Sequence, residues 1–164
     1  MRVKQLINNY LKESYLLQIA TSGHNIPWIC TVCFGFDTSF NLYWFSRHDT
    51  RHSQEILQNN CVAGTVVLPY VKGNKSRGLQ FAGIAVELHD VLEIEKGLGA
   101  MRKRYDMSKK REIELKNEMV SGDANYGLYR FIPEEIILYD TKNFPDAPRQ
   151  VYSMTTTLLR KDTE

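Results

Sequence analysis

Three runs of β-branched and aromatic residues follow one another between Tyr15 and Phe45 with only short turn sequences between them, and this spacing limits the possible folds more than any other feature. The runs cover Tyr15 to Thr21, Pro27 to Phe36 and Phe40 to Phe45; Ser22-Gly23-His24-Asn25 and Asp37-Thr38-Ser39 separate them as turns. Strands joined this tightly must pair antiparallel. In front of them, Val3, Leu6, Ile7, Tyr10 and Leu11 fall on one face of a helix predicted over Val3 to Lys12.

Further along, a short helix is predicted over Thr50 to Asn59, and strands over Cys61 to Leu68 and Leu79 to Glu87, with Pro69 to Gly78 as an exposed loop. Leu92 to Tyr105 and Arg111 to Met119 read as helices broken near Asp106 and finished at Ser121-Gly122. Tyr126 to Phe131 and Ile136 to Asp140 read as two final strands divided by Pro133, because proline cannot donate to a ladder. A strand meander with one inserted helix and others appended makes a mainly β protein, an antiparallel barrel or sandwich. With no internal repeat or low-complexity linker, a single domain over residues 1–164 is expected.

The junction Leu42-Tyr43-Trp44-Phe45-Ser46-Arg47-His48-Asp49-Thr50-Arg51-His52-Ser53 collects anion-binding chemistry where a strand hands over to a helix. Asp49 and Thr50 offer N-caps, and the first helical turn would carry Thr50, Arg51, His52 and Ser53. Free N–H groups and the positive dipole end favour an anion there, while a guanidinium adds a bidentate fork. A phosphate is the ligand this set fits. The competing account is an ordinary capped helix with a solvated surface.

A net charge of +2 gives no argument for nucleic acid, and the basic run from Arg102 to Arg111 has no interleaved aromatic platform, so a solvated helix face explains it. No apolar stretch approaches the roughly 20 residues of a spanning helix, and no signal-peptide core opens the chain. A cytoplasmic protein without a membrane partner is expected. Cys30-Thr31-Val32-Cys33 has CxxC spacing but lies in a strand, where residues three apart face opposite ways; neither a zinc site nor a disulfide between them is expected. His48 and His52 lack the H-E-x-x-H pattern of a metalloprotease, and no metal site is expected.

The ordered set Tyr43, Ser46, Thr50-Arg51-His52, Ala63-Gly64-Thr65-Val66 and Gly78-Leu79-Gln80-Phe81-Ala82-Gly83 resembles the pyridoxamine 5'-phosphate oxidase-like group of flavin-binding split barrels. Within that group the chain is most similar to a small uncharacterised bacterial family, over roughly Leu6 to Tyr105. The resemblance implies an antiparallel split β-barrel with appended helices, binding FMN. It implies that Ser46 with Thr50, Arg51 and His52 holds the FMN phosphate, that the strand Cys30, Thr31, Val32, Cys33 lies along the isoalloxazine, and that Gln80 faces it. Histidine in place of the group's lysine at His52 leaves less permanent charge. A homodimer with the flavin between subunits is implied as well.

Two departures argue against the vitamin B6 oxidase itself. The strand from Trp28 to Phe34 lacks the Arg and Lys of that enzyme, and Asn143 to Arg149 does not reproduce its Trp- and Arg-bearing end. A flavin-dependent oxidoreductase acting on an unidentified small molecule is the first reading. A non-catalytic flavin or haem carrier or sensor, with His24, His48 or His89 as the haem ligand, is the second, and a barrel that has lost its cofactor is a third. FMN, FAD and a deazaflavin share the phosphate end and are not separated by sequence. The aromatics Trp28, Phe34, Phe36, Tyr43, Trp44 and Phe45 supply an independent reason for a dimer, since alternation sends about half of them outward unless the helices from Leu92 to Met119 cover that face.

Overall fold

The computed structural model describes residues 2–154. Among them the order is α1 (Arg2–Glu13), β1 (Leu16–Gly23), β2 (Ile26–Cys33), β3 (Gly35–Phe36), β4 (Leu42–Arg47), α2 (Arg51–Gln58), β5 (Cys61–Val67), β6 (Arg77–Glu87), α3 (Val91–Tyr105), α4 (Lys109–Ser121), β7 (Tyr126–Asp140) and β8 (Arg149–Ser153). The strands form one antiparallel sheet in the order β2-β1-β5-β6-β7-β4-β3, with β8 added to β7. The run expected as one strand from Pro27 to Phe36 breaks at Phe34. Its first part pairs with β1 and its last two residues with β4, so a covalent bend of one residue joins the two ends of the sheet into a barrel.

The tight turn between β1 and β2 is His24-Asn25, both left-handed with φ of 51° and 61°, as a two-residue hairpin of matching twist requires. Gly23 is still in the strand. Pro133 does not divide two strands as expected. β7 is continuous over 15 residues, and Pro133 sits at a bulge where Ala82 pairs Glu135 but Gly83 pairs Pro133, leaving Glu134 as the extra residue. The bulge is also where β7 changes its second partner: residues 126–131 pair with β4 and residues 135–139 with β8.

The core lies inside the barrel and under α1. Ile7, Tyr10 and Leu11 of the helix meet Leu17, Ile19, Phe34, Trp44, Phe81 and Phe131 there. A second cluster joins Tyr43 and Leu128 to Ile94, Leu98, Met101 and Leu115 of α3 and α4. The appended helices therefore cover Tyr43 and Phe45, while Phe34, Phe36 and Trp44 pack in or against the barrel core. Phe34, Tyr43 and Trp44 are buried and Phe36 and Phe45 half-buried; only Trp28 of the six is exposed, at 41%. Apolar surface remains open on the outer sheet face, at Leu16, Ile29, Val67 and Val151, as it does at scattered positions on the helices such as Leu57, Leu92 and Val120. In the basic run, Asp106 stops α3 in a left-handed conformation, and Arg102, Lys109 and Arg111 pair with Glu112, Glu114 and Glu118. Among the described residues, no helix is long and apolar enough to cross a membrane.

Candidate functional site

Alternation along β4 places Leu42, Trp44 and Ser46 on the barrel side, and Ser46 arrives beside α2 through its pairing with Gly127 of β7. Thr50 is the N-cap of α2, with extended backbone, yet its side chain does not cap the helix. Its hydroxyl donates instead to the Arg47 carbonyl at 2.9 Å and lies 2.8 Å from Ser53 Oγ. The first-turn N–H groups of α2, which have no intrahelical acceptor, thus stay available to an external anion. Asp49, the other expected cap, is held by the Arg47 guanidinium at 2.7 and 2.9 Å.

His52 Nε2 lies 2.6 Å from Ser46 Oγ and 3.2 Å from Thr50 Oγ1. Ser46 and His52 are both buried, so they satisfy one another, while Thr50 and Arg51 form the outer lip. The Arg51 guanidinium is fixed from two sides: its Nε donates to Glu55 Oε1 at 2.7 Å, and its Cζ stands 4.6 Å over the Trp28 ring. Glu55 is fixed in turn by Thr21 Oγ1, which donates to Oε2 at 2.5 Å. Burial alone would push the Glu55 carboxyl up, but the bonds from Thr21 and Arg51 outweigh it and hold it below its ordinary value. Glu55 therefore stays anionic, at the edge of the Ser46, Thr50, Arg51, His52 cluster.

Burial lowers the pKa of His52 from its ordinary 6.5, and Glu55 only partly opposes this. The imidazole is neutral at pH 7, which leaves Arg51 as the permanent cation of the cluster. A stability effect follows. Because the folded value is below the unfolded one, the unfolded chain takes up this proton first as pH falls below about 6.5, so folding is favoured above that pH and loses ground beneath it. Denaturant unfolding between pH 7.5 and 5.5 should show stability falling with pH, and the slope should flatten in His52→Gln.

The remaining sequence candidates divide between two faces. Cys30 and Val32 of β2 sit opposite Ile19 and Leu17 on the barrel side, with Cys30 toward Glu55. Burial, and then Glu55, pushes the Cys30 thiol up to about 11, so it is a protonated, unreactive group rather than a thiolate ligand. Thr31 and Cys33 point to the outer face. Gln80 is exposed on that same outer face. Within one chain, Thr31, Cys33 and Gln80 are therefore not brought to the Ser46, Thr50, Arg51, His52 cluster.

The register shows a row that sequence reading missed: Thr31, Gln18, Thr65 and Gln80 stand side by side across β2, β1, β5 and β6. Gln18 and Thr65 carry no local mark; only strand register aligns them. Glu55, Trp28 and Thr21 were likewise invisible as a support for Arg51. Among the potential haem ligands, His24 tops the β1–β2 hairpin and His48 Nε2 bonds Glu87 Oε1 at 2.9 Å. Among the described residues, no three metal-ligating side chains gather at one point.

An antiparallel barrel closed by a bent strand and flanked by these helices is the pyridoxamine phosphate oxidase-like split barrel. Solved structures of this architecture overlay on most of the chain. The conserved hypothetical protein Rv2991 from Mycobacterium tuberculosis matches with a TM-score of 0.68 at 13% identity, covering 86% of each chain. A protein related to general stress protein 26, of the pyridoxinephosphate oxidase family, from Clostridium acetobutylicum matches with a TM-score of 0.62 at 19% identity, over 93% of this chain and 95% of that one. HutZ, the haem storage protein from Vibrio cholerae, gives 0.62 at 19% identity over 82% and 92%. At these identities the likeness is one of fold.

By sequence, the chain is similar to proteins of UPF0306, an uncharacterised bacterial family. It is 31% identical over 81 residues to one from Pasteurella multocida, covering 49% of this chain and 54% of that protein. A second, from Photorhabdus laumondii, is 27% identical over 85 residues, covering 51% and 59%. The chain thus spans about half the length of the curated relatives it matches. No protein-family profile matches it.

Proposed function

We propose that this chain binds FMN through its phosphate at the β4–α2 junction and acts as a flavin-dependent oxidoreductase on a small molecule. The observation that supports the reading best is the uncapped start of α2 beside an Arg51 guanidinium braced by Trp28 and Glu55. First-turn amides and a fixed guanidinium make an anion cradle that needs no rearrangement of the backbone. The donor set fits a phosphate monoester. Thr50 and Arg51 would meet it at the lip, with Ser46 and His52 behind them. When bound, the flavin supplies hydride or electron transfer, and the protein supplies anchoring, orientation and exclusion of water.

The two faces give a reason for a homodimer. The phosphate cluster lies on the barrel side of the sheet and Gln80 on the outer side, so one ligand would touch both sets where two chains supply them. The exposed Leu16, Ile29, Val67 and Val151 around the Thr31-Gln18-Thr65-Gln80 row offer an apolar surface for the second copy. Sedimentation should find a dimer strengthened by FMN through mass action. A monomer that binds FMN with unchanged mass would sink the shared site.

A second reading, a flavin or haem carrier without turnover, draws on the neutral state of His52, which thins the charge available to a phosphate, and on the fold shared with HutZ. Absorbance spectra of the purified protein titrated with FMN, FAD, a deazaflavin and haemin distinguish the two. Saturable FMN uptake is expected. A haem spectrum with no flavin uptake would replace the first reading with the second.

A further inference from the structure

We propose that the cleft between α1 and α3 is a second ligand site, distinct from the flavin cradle, which takes small organic anions with an aromatic or aliphatic body. The cleft has a volume of about 590 Å³ and a floor that includes Phe36 and Ala100. That size falls within the range of small-molecule sites, roughly 300–1,000 Å³. It shares no residue with the Ser46, Thr50, Arg51, His52 cluster.

Helical spacing aligns its walls. Asn8 and Lys12 are four apart on α1; Lys96, Gly99 and Lys103 recur at three and four along α3. The acids that line the cleft are already paired, Asp37 with Lys96 at 3.0 Å and Glu95 with Lys116 at 2.9 Å. Arg104 is a clamp: its guanidinium stands 4.0 Å over the Tyr15 ring, and its terminal nitrogens donate to the carbonyls of Lys12 and Ser14. Lys12 and Lys103 are left over. Among the described residues neither ammonium has an ion-pair or hydrogen-bond partner, although both border an apolar hollow. Two uncompensated cations beside Arg104, over low-dielectric walls, concentrate positive potential inside the cleft.

Gly99 supplies an independent observation. A glycine inside a helix costs about 0.5–1 kcal/mol relative to alanine, so its presence calls for a reason. Gly97, two residues earlier, has a packing reason, since a Cβ there would stand 2.8 Å from Leu128 and 2.9 Å from Tyr43. At Gly99 an added Cβ would meet nothing within 4 Å. The missing side chain serves no contact within the chain: the position faces the open space of the cleft, which a methyl group leaves open and a large side chain would fill.

Anilinonaphthalene sulfonate, an aromatic anion, tests the site when its fluorescence is titrated into the full chain saturated with FMN. One saturable site per chain is expected, undisplaced by FMN. The double variant Lys12→Glu/Lys103→Glu should weaken the dye by roughly 10-fold or more, the scale of lost charged contacts. Uncharged N-phenylnaphthylamine should bind that variant and the parent alike. Gly99→Phe should block both dyes, whereas Gly99→Ala should keep binding and raise Tm. Displacement by FMN, absence of a saturable site, or dye affinity unchanged in the charge-reversed chain would each overturn the proposal. The charge-reversed positions are exposed, so that arm stands even where Gly99→Phe fails to fold.

Discussion

Trp44→Ala should lower the free energy of unfolding by about 3–5 kcal/mol, the range for truncating a fully buried aromatic side chain. Trp44 is 0% exposed, lies in β4 directly opposite Tyr129 of β7, and stacks on that ring at 5.6 Å with an 18° interplanar angle. The alanine would leave a void that neighbouring strands, fixed by their ladders, cannot close. Trp44→Phe should cost far less. The indole Nε1 is buried with no hydrogen-bond partner among the described residues, so phenylalanine gives up packing volume but also removes an unsatisfied donor. A shift in the denaturant midpoint at constant m-value is the measurement. Equal losses in the two variants would show that the polar tip, not the ring, governs the site.

Arg51→Ala should weaken FMN binding by about 1.5–3 kcal/mol, or roughly 10- to 150-fold, because a charged hydrogen-bond donor is lost where no second permanent cation stands. Its neighbour His52 is held neutral by burial and cannot substitute for it at pH 7. Arg51→Lys should recover only part of the loss, since an ammonium lacks the planar fork that Glu55 and Trp28 hold in place. The chain has two tryptophans, and in Trp44→Phe the remaining Trp28 lies directly beneath the Arg51 guanidinium. Its fluorescence then reports cofactor arrival at the cradle. Unchanged FMN affinity in Arg51→Ala would remove this residue from the phosphate site.

The fold was legible from local marks to the extent that those marks are local in cause. The Ser22 to Asn25 turn, the run to Phe45 and the break at Asp106 each depend on the chemistry of a few adjacent residues, and the structure ends an element within two residues of each. Pro133 misled because its missing donor is absorbed by a bulge against Gly83, a partner 50 positions away that only register identifies. β8 went unread since five residues of mixed polarity become a strand only by docking on β7. At the candidate site, the gathering of Ser46, Thr50, Arg51 and His52 was visible as a cap-and-arginine pattern. The depressed pKa of His52 and the brace of Arg51 were not, because they arise from burial and from Glu55, Thr21 and Trp28, which tertiary folding brings together.

The partner change of β7 bears on how the chain reaches this state. β4 has only two residues of β3 along one edge, and its other edge is completed by residues 126–131. Until those residues leave the ribosome, Trp44 lacks the Tyr129 ring that stacks on it and the β4 edge is open to any extended strand that meets it. Ser46 takes its position from Gly127, so its contact with His52 cannot be set earlier either. Closure therefore waits on contacts spanning some 80 positions, and by the usual link between long-range pairing and speed it should be the slow step of folding. A chain released before Tyr126 would be a fragment that aggregates, and the β4–α2 junction takes its final form only at the last stage of synthesis.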